Sequence, residues 1–281
     1  MKNRIYSGLL LWASLLCLPL WGDELSPRMV LVIDDLGPNL MQGQAILALP
    51  GPVTYAVLPF TPHATHLARL AELRGKEIIL HAPMANLANL PLGPGGLYPH
   101  LSEQEFKQVL NSNLDSLPRA RGLNNHMGSL LTQQEQPMRW VMEVARERDL
   151  FYLDSRTTAE TLAADIAREE RVPVLERKVF LDHEVTADYV EQQFLHAIEV
   201  AKTEGSVVVI GHPYPVTVEY LKQGLPLLDE LGIQLVSASA FLMQEADLQR
   251  LHQYQQRKLQ TAQRVDEPSA GSSSILRVTP E

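Results

Sequence analysis

The stretch Met29 to Gly37, MVLVIDDLG, runs five apolar residues into two adjacent carboxylates, Asp34 and Asp35, and closes on a glycine. Neighbouring residues of a strand face opposite ways, so an Asp that caps the following helix would account for one acid and leave the other unexplained. The arrangement recurs down the chain. His81, Asn125 with His126, Asp154, Asp182 with His183, and His212 each stand at the end of a short, mostly apolar run. Imidazole and carboxylate are ligands for a zinc-like ion, and a catalytic site uses three of them and leaves one position open for water. Any one of these histidines alone reads as structural or solvated. Six run ends carrying such groups point instead to one shared site.

What positions these groups is an alternation of elements. Met29 to Ile33, Val53 to Leu58, Glu77 to Leu80, Gly122 to Asn124, Phe151 to Leu153, Val179 to Leu181, Val207 to Ile210 and Ile233 to Val236 read as strands. A run as uniformly apolar as the first suits a strand buried on both faces. Helical patterns fill most gaps. Ser102-Glu103-Gln104-Glu105 is a capping-box start for a helix to about Leu117, and 134–148, 158–170, 188–203 and 216–231 follow suit. This alternation indicates a parallel sheet flanked by helices, and seven or eight strands favour a closed barrel over an open sheet. In such folds the carboxyl ends of the strands build the active site, so the groups above gather on one rim. Asn86 to His100, with three Pro and three Gly, reads as a long loop over one end.

The ends of the chain differ in kind. Lys2 and Arg4, followed by the mostly apolar Ile5 to Trp21, read as a secretory signal over residues 1–22, with cleavage near Gly22. Leu20 is a poor residue upstream of such a site, so cleavage and retention as an uncleaved anchor both stay open. Export to the periplasm is expected. Cleavage would remove Cys17, the single cysteine, and with it any disulfide or thiol chemistry. It would also leave 22 basic residues against 33 acidic, a net charge of −11, with no basic stripe, which argues against nucleic acid as a partner. Residues 23–243 read as one α/β domain and 244–264, rich in Gln, Arg, Leu and Ala, as a polar C-terminal helix. Residues 265–281, where Pro, Ser and Gly take over, read as a disordered tail.

Taken together, VIDDLG (32–37), LHAPM (80–84), NNHMGS (124–129), FYLDSRT (151–157), FLDH (180–183) and IGHPYP (210–215) resemble the divergent polysaccharide deacetylase family over roughly residues 28–243. The resemblance implies an irregular (β/α)7 barrel of the polysaccharide deacetylase kind. It also implies a bound divalent metal, most naturally zinc, and removal of N- or O-acetyl groups from sugars. On the matching positions it makes Asp34 the general base and Asp35 a metal ligand, and it sets His212 in the place of the general acid. Asp154 is then the carboxylate expected to orient the His212 imidazole and hold its charge. Two departures stand out. The usual deacetylase places two metal histidines four residues apart, whereas His81 is followed at that spacing by Ala85; His126, on a neighbouring strand end, is the substitute expected beside Asp35 and His81. The Arg and Tyr motif after the fourth strand is replaced by Asn125 and Gly128-Ser129, so oxyanion donors would come from Asn125 or backbone N–H groups. His63 and His66 read as surface residues at a helix start.

The expectation is therefore an exported, metal-dependent, deacetylase-like hydrolase acting on an acetylated sugar or another cell-envelope polymer. The alternative is a catalytically inactive barrel serving as a carbohydrate-binding or scaffold protein of the envelope. Fold alone does not choose between them. A binding protein stacks sugars on aromatic rings, and the strand-end segments offer only Phe60, Tyr98, Tyr152 and Tyr214, whereas paired acids with several histidines favour chemistry.

Overall fold

A computed structural model describes residues 26–266. The expected signal and nearly all of the expected tail lie outside the described residues. The strands are β1 (Arg28–Leu36), β2 (Thr54–Val57), β3 (Glu77–Met84), β4 (Gly122–Met127), β5 (Phe151–Asp154), β6 (Val174–Glu176), β7 (Val179–Phe180), β8 (Ser206–Gly211) and β9 (Gln234–Val236). Between them run the helices α1 (Leu40–Ile46), α2 (Ala64–Leu73), α3 (Glu103–Asp115), α4 (Glu135–Glu147), α5 (Ala163–Glu169), α6 (Ala187–Glu204), α7 (Pro215–Gly224) and α8 (Leu227–Glu230), and α9 (Ala238–Asp266) closes the chain.

The strands form one parallel sheet in the order β6-β5-β4-β3-β2-β1-β8-β7. β6 and β7 stand at opposite ends of that path, yet only Arg177 and Lys178 separate them in sequence. The sheet must therefore curl until its ends meet. β6 and β7 act as one broken stave, bonded to β5 through Val174–Glu176 and to β8 through Val179 and Phe180. Counted this way, the described residues form seven staves, the irregular (β/α)7 barrel. β9 lies off the ring, paired with Arg28 to Val30 at the amino half of β1, while β2 takes the carboxyl half.

The burial of β1 shows why its sequence is uninterruptedly apolar. Met29, Leu31 and Ile33 join the layer between sheet and helices, with Leu67, Phe106, Met138 and Phe194. Val30 and Val32 join a second cluster inside the barrel, with Ala56, Ile79, Leu153, Val208 and Ile210. Both faces are dry, so both phases are apolar. Ala238 and Phe241 of α9 enter the same inner cluster and plug the amino end.

Several elements differ from the sequence reading. The C-terminal helix begins at Ala238 rather than at residue 244, and its first turns belong to the barrel. The helix expected over 216–231 is broken at Leu225-Pro226, where the proline has no N–H to continue the ladder. α5 starts at Ala163, five residues later than expected from Thr158, because Thr158 to Leu162 form a loop that carries a side chain to Asp154. The Ser102 capping box is present, with Glu105 N at 3.4 Å from Ser102 Oγ and Ser102 N at 3.0 Å from Glu105 Oε2.

Candidate active site

The two-residue period of the strands delivers most of the rim. The inward phase Val30, Val32 continues to Asp34 in β1, Ile79 leads to His81 in β3, Leu153 to Ser155 after β5, and Ile210 to His212 after β8. In β4 the outward Leu123 sets Asn124 and His126 inward.

Asp35 should face outward with Ile33, and a bulge reverses it. Between the pairs Ile33↔Tyr55 and Leu36↔Val57, β1 has one residue more than β2, and Asp35 there adopts φ +60. A side-chain-bearing residue in this left-handed region costs on the order of 1–3 kcal/mol, and such strain gathers at functional sites. The result is that both carboxylates serve the same side. Neither caps α1, whose N-cap is Asn39, with Oδ1 at 3.1 Å from Gln42 N. Gly37 follows at φ +131, where a Cβ would lie 2.0 Å from Thr61 Oγ1, so the turn admits no side chain.

Three donor atoms converge at this rim. Asp35 Oδ1 lies 2.9 Å from His126 Nδ1 and 3.2 Å from His81 Nε2, and the two imidazole nitrogens are 3.1 Å apart. Asp35 Oδ1 is buried yet accepts no hydrogen bond of sound geometry. An orphaned carboxylate oxygen facing two imidazole nitrogens is what a cation site looks like, since ligands held about 2.0–2.1 Å from a tetrahedral ion stand about 3.3 Å apart. The donor set fits a divalent ion of the zinc kind. Asn124 completes the arrangement by holding two residues at once: its Oδ1 is 2.7 Å from His81 Nδ1, and its Nδ2 donates to Asp34 Oδ1 at 2.8 Å. With Nδ1–H given to Asn124, His81 presents the lone pair of Nε2 to the cluster. Burial alone would raise the Asp35 carboxyl, but His126 and His81 beside it hold it well below the usual carboxylate range. Burial likewise opposes charge on His81, and Asp34 and then Asp35 outweigh it and raise its pKa.

Asp34 stands beside the cluster, with Oδ2 3.7 Å from His81 Nε2. His212 closes the other side, with Nε2 4.0 Å from Asp35 Oδ2. Asp154 does not take the role expected of it beside His212. Its oxygens accept from Arg156 N at 2.8 Å and Thr161 Oγ1 at 2.9 Å, because it shares the outward phase of Tyr152 and faces the helix layer; burial pushes its carboxyl up. The partner of His212 is Asp182. Asp182 Oδ1 is 2.9 Å from His212 Nδ1, and Oδ2 accepts from His212 N at 2.6 Å and Thr217 Oγ1 at 2.9 Å. Burial lowers the His212 pKa, but the Asp182 carboxylate overcomes it and raises it to about 9.

Asn125 is likewise not free to serve an oxyanion. Its Nδ2 donates to Met127 O at 2.7 Å, and its Oδ1 accepts from Tyr152 Oη at 3.1 Å and Ser155 N at 3.0 Å. It braces the loop after β4 from the outward side. His63 lies half-buried before α2 and His66 is exposed; neither lines the cleft. His183 is exposed at the cleft edge. Arg177, which drew no attention in the sequence, also lines the cleft, held by the carbonyls of Ser155 at 2.6 Å and Arg156 at 2.7 Å, over the Phe180 ring at 4.9 Å.

The cleft over Asp34, Asp35, His81, His126 and His212 has a volume of about 420 Å³. A second cleft of about 200 Å³ shares Asp35 and His212 and is walled by Gln42 and Tyr214. The two clefts meet at Asp35 and His212.

Barrel, broken seventh stave and rim define a (β/α)7 protein of the polysaccharide deacetylase kind. The chain belongs to the divergent polysaccharide deacetylase family, whose sequence profile matches residues 31–242. It is similar to YibQ, an uncharacterized protein of Escherichia coli, with 38% identity over 235 residues covering 84% of this chain and 73% of that one. Among solved structures it resembles the uncharacterized protein ATU2773 of Agrobacterium tumefaciens, with a TM-score of 0.74 and 21% identity over 79% of this chain and 91% of that one. It also resembles a mutant of BA3943 from Bacillus anthracis, described as a CE4 family pseudoenzyme with restored enzymatic activity. That likeness has a TM-score of 0.52 and 15% identity over 77% of this chain and 68% of that one. These structural likenesses show the fold.

Proposed function

We propose that the protein is an exported, metal-dependent hydrolase that removes acetyl groups from a sugar or another cell-envelope polymer. One observation carries this reading: the orphaned Asp35 Oδ1 converges with His81 Nε2 and His126 Nδ1, while Asp34 and His212 flank the same point from two sides. Membership of a family named for polysaccharide deacetylation supports the substrate class, and the basic, apolar start of the sequence supports export. Asp35, His81 and His126 would hold the ion, which would supply Lewis acidity at the acyl oxygen and acidify water nearby.

The remaining steps belong to side chains of this chain. Asn124 fixes Asp34 through Oδ1 and leaves Oδ2 free to accept a proton from the attacking water. Water adds to the acyl carbon, and the bond from that carbon to the sugar nitrogen or oxygen breaks. Asp182 holds His212 by Nδ1, so that Nε2 faces the cleft and donates a proton to the departing amine or alcohol. Acetate and the deacylated sugar leave. The test is acetate release from a panel of N- and O-acetylated glycans, with the protein stripped of metal and then reloaded with zinc. Acetate released only after reloading supports the reading; no acetate from any glycan by zinc-loaded protein rejects it and favours a binding or scaffold role.

A further inference from the structure

A wide groove lies at the other end of the barrel. It has a volume of about 660 Å³, within the roughly 300–1,000 Å³ typical of ligand sites. Its walls come from where the chain enters the strands: Arg121 precedes β4, Phe151 begins β5, Arg171 lies before β6, and Leu242 belongs to the start of α9. Because every stave is parallel, this groove and the catalytic rim lie at opposite ends, and the chemistry above makes no use of it.

Four arginines line the groove, Arg121, Arg146, Arg148 and Arg171, against one acid, Asp149, in a chain of net charge −9. Two of them have work within the fold. Arg146 pairs with Glu170 at 2.5 Å and Arg148 with Asp115 at 2.8 Å, and cations near the carboxyl end of a helix such as α4 complement its dipole. The dipole account extends to Arg171, just past the carboxyl end of α5, but not to Arg121. Among the described residues neither the Arg121 nor the Arg171 guanidinium has a hydrogen-bond or ion-pair partner. Arg171 is also held at φ +59, a backbone that glycine adopts freely and a long side chain rarely does. Both arginines are exposed, and the groove they line also carries apolar side chains, with Phe151 buried and Leu242 partly buried.

We propose that this groove is a second binding site, for a phosphate-bearing group. Two unpaired planar guanidiniums match the bidentate geometry of phosphate oxygens, and Phe151 and Leu242 would receive the apolar part of its carrier. That carrier is either a soluble phosphorylated sugar or the headgroup of an anionic lipid. The experiment titrates the full chain by calorimetry with inorganic phosphate. In parallel it measures sedimentation with vesicles of phosphatidylglycerol mixed with phosphatidylcholine, and with phosphatidylcholine alone. The same is done with the Arg121→Gln/Arg171→Gln double variant, whose melting temperature should match the parent because neither guanidinium is bonded within the fold. Binding of phosphate by the parent identifies a soluble ligand, and binding of the anionic vesicles without phosphate binding identifies a headgroup. In either case the double variant should bind at least about tenfold more weakly. No binding to either probe, or equal binding by a folded double variant, overturns the proposal.

Discussion

Replacing His126 by alanine removes one of three donor atoms at the candidate metal centre, and its cost can be worked out. Zinc held by four ligands in small structural sites is bound by about 10–16 kcal/mol, or about 2.5–4 kcal/mol for each ligand. At about 1.4 kcal/mol per tenfold, His126→Ala should lose two to three powers of ten in zinc affinity. The fold should survive, because His126 is partly exposed at the rim, and the polar contacts its ring makes are to Asp35 and His81 of the cluster. Asn124→Ala removes no ligand but frees the His81 ring, and should cost about 10–100-fold. Asp34→Asn leaves all three donors in place and should bind zinc as the parent does. Zinc titration by calorimetry, with a competing chelator for the tighter variants, reads all three. Parent-like binding by His126→Ala would refute the substitute-ligand reasoning, and so would a loss in Asp34→Asn as large as that in His126→Ala.

Asp182→Asn keeps the shape of the side chain that holds His212 but not its charge; turnover should fall about a hundredfold or more with KM and zinc affinity unchanged, measured by steady-state acetate release. Asn125→Asp puts an acceptor against the Met127 carbonyl in a buried position and should destabilise the fold by about 1–3 kcal/mol in urea unfolding; unchanged stability with lost turnover would restore Asn125 as an oxyanion donor. Gly37→Ala forces a Cβ onto Thr61 at a φ that glycine alone tolerates, and should cost at least about 2 kcal/mol in the same assay while weakening zinc binding through the displaced Asp35.

The sequence showed the rim more readily than it showed which way each residue on it points. An apolar run ending in acids or histidine marks a buried strand meeting an active-site face, and that pattern placed Asp34, His81, Asn125, His126 and His212 near one another. Phase is another matter. A strand dry on both faces has no alternation to read, so nothing in FYLD says that Phe151 and Leu153 face inward and Tyr152 and Asp154 outward. That is why Asp154 was expected to hold His212 when Asp182, in phase with Phe180, does so. The bulge at Asp35 was hidden for a related reason, since only the register against β2 reveals the extra residue. β6 was missed because three residues bounded by Pro173 and Arg177 fall below any periodic signal, although they complete the broken seventh stave. Pro226, by contrast, is a helix breaker legible in the sequence, and α7 and α8 part on either side of it.

Acetate release by zinc-loaded parent protein, set beside Asp34→Asn loaded to the same zinc content, tests the central claim most directly. The account predicts release by the parent and a fall of about 10²–10⁴-fold in the variant at equal zinc content, because Asp34 takes the proton and holds no metal. Equal release by the two proteins, or none by the parent on any acetylated glycan, would contradict it.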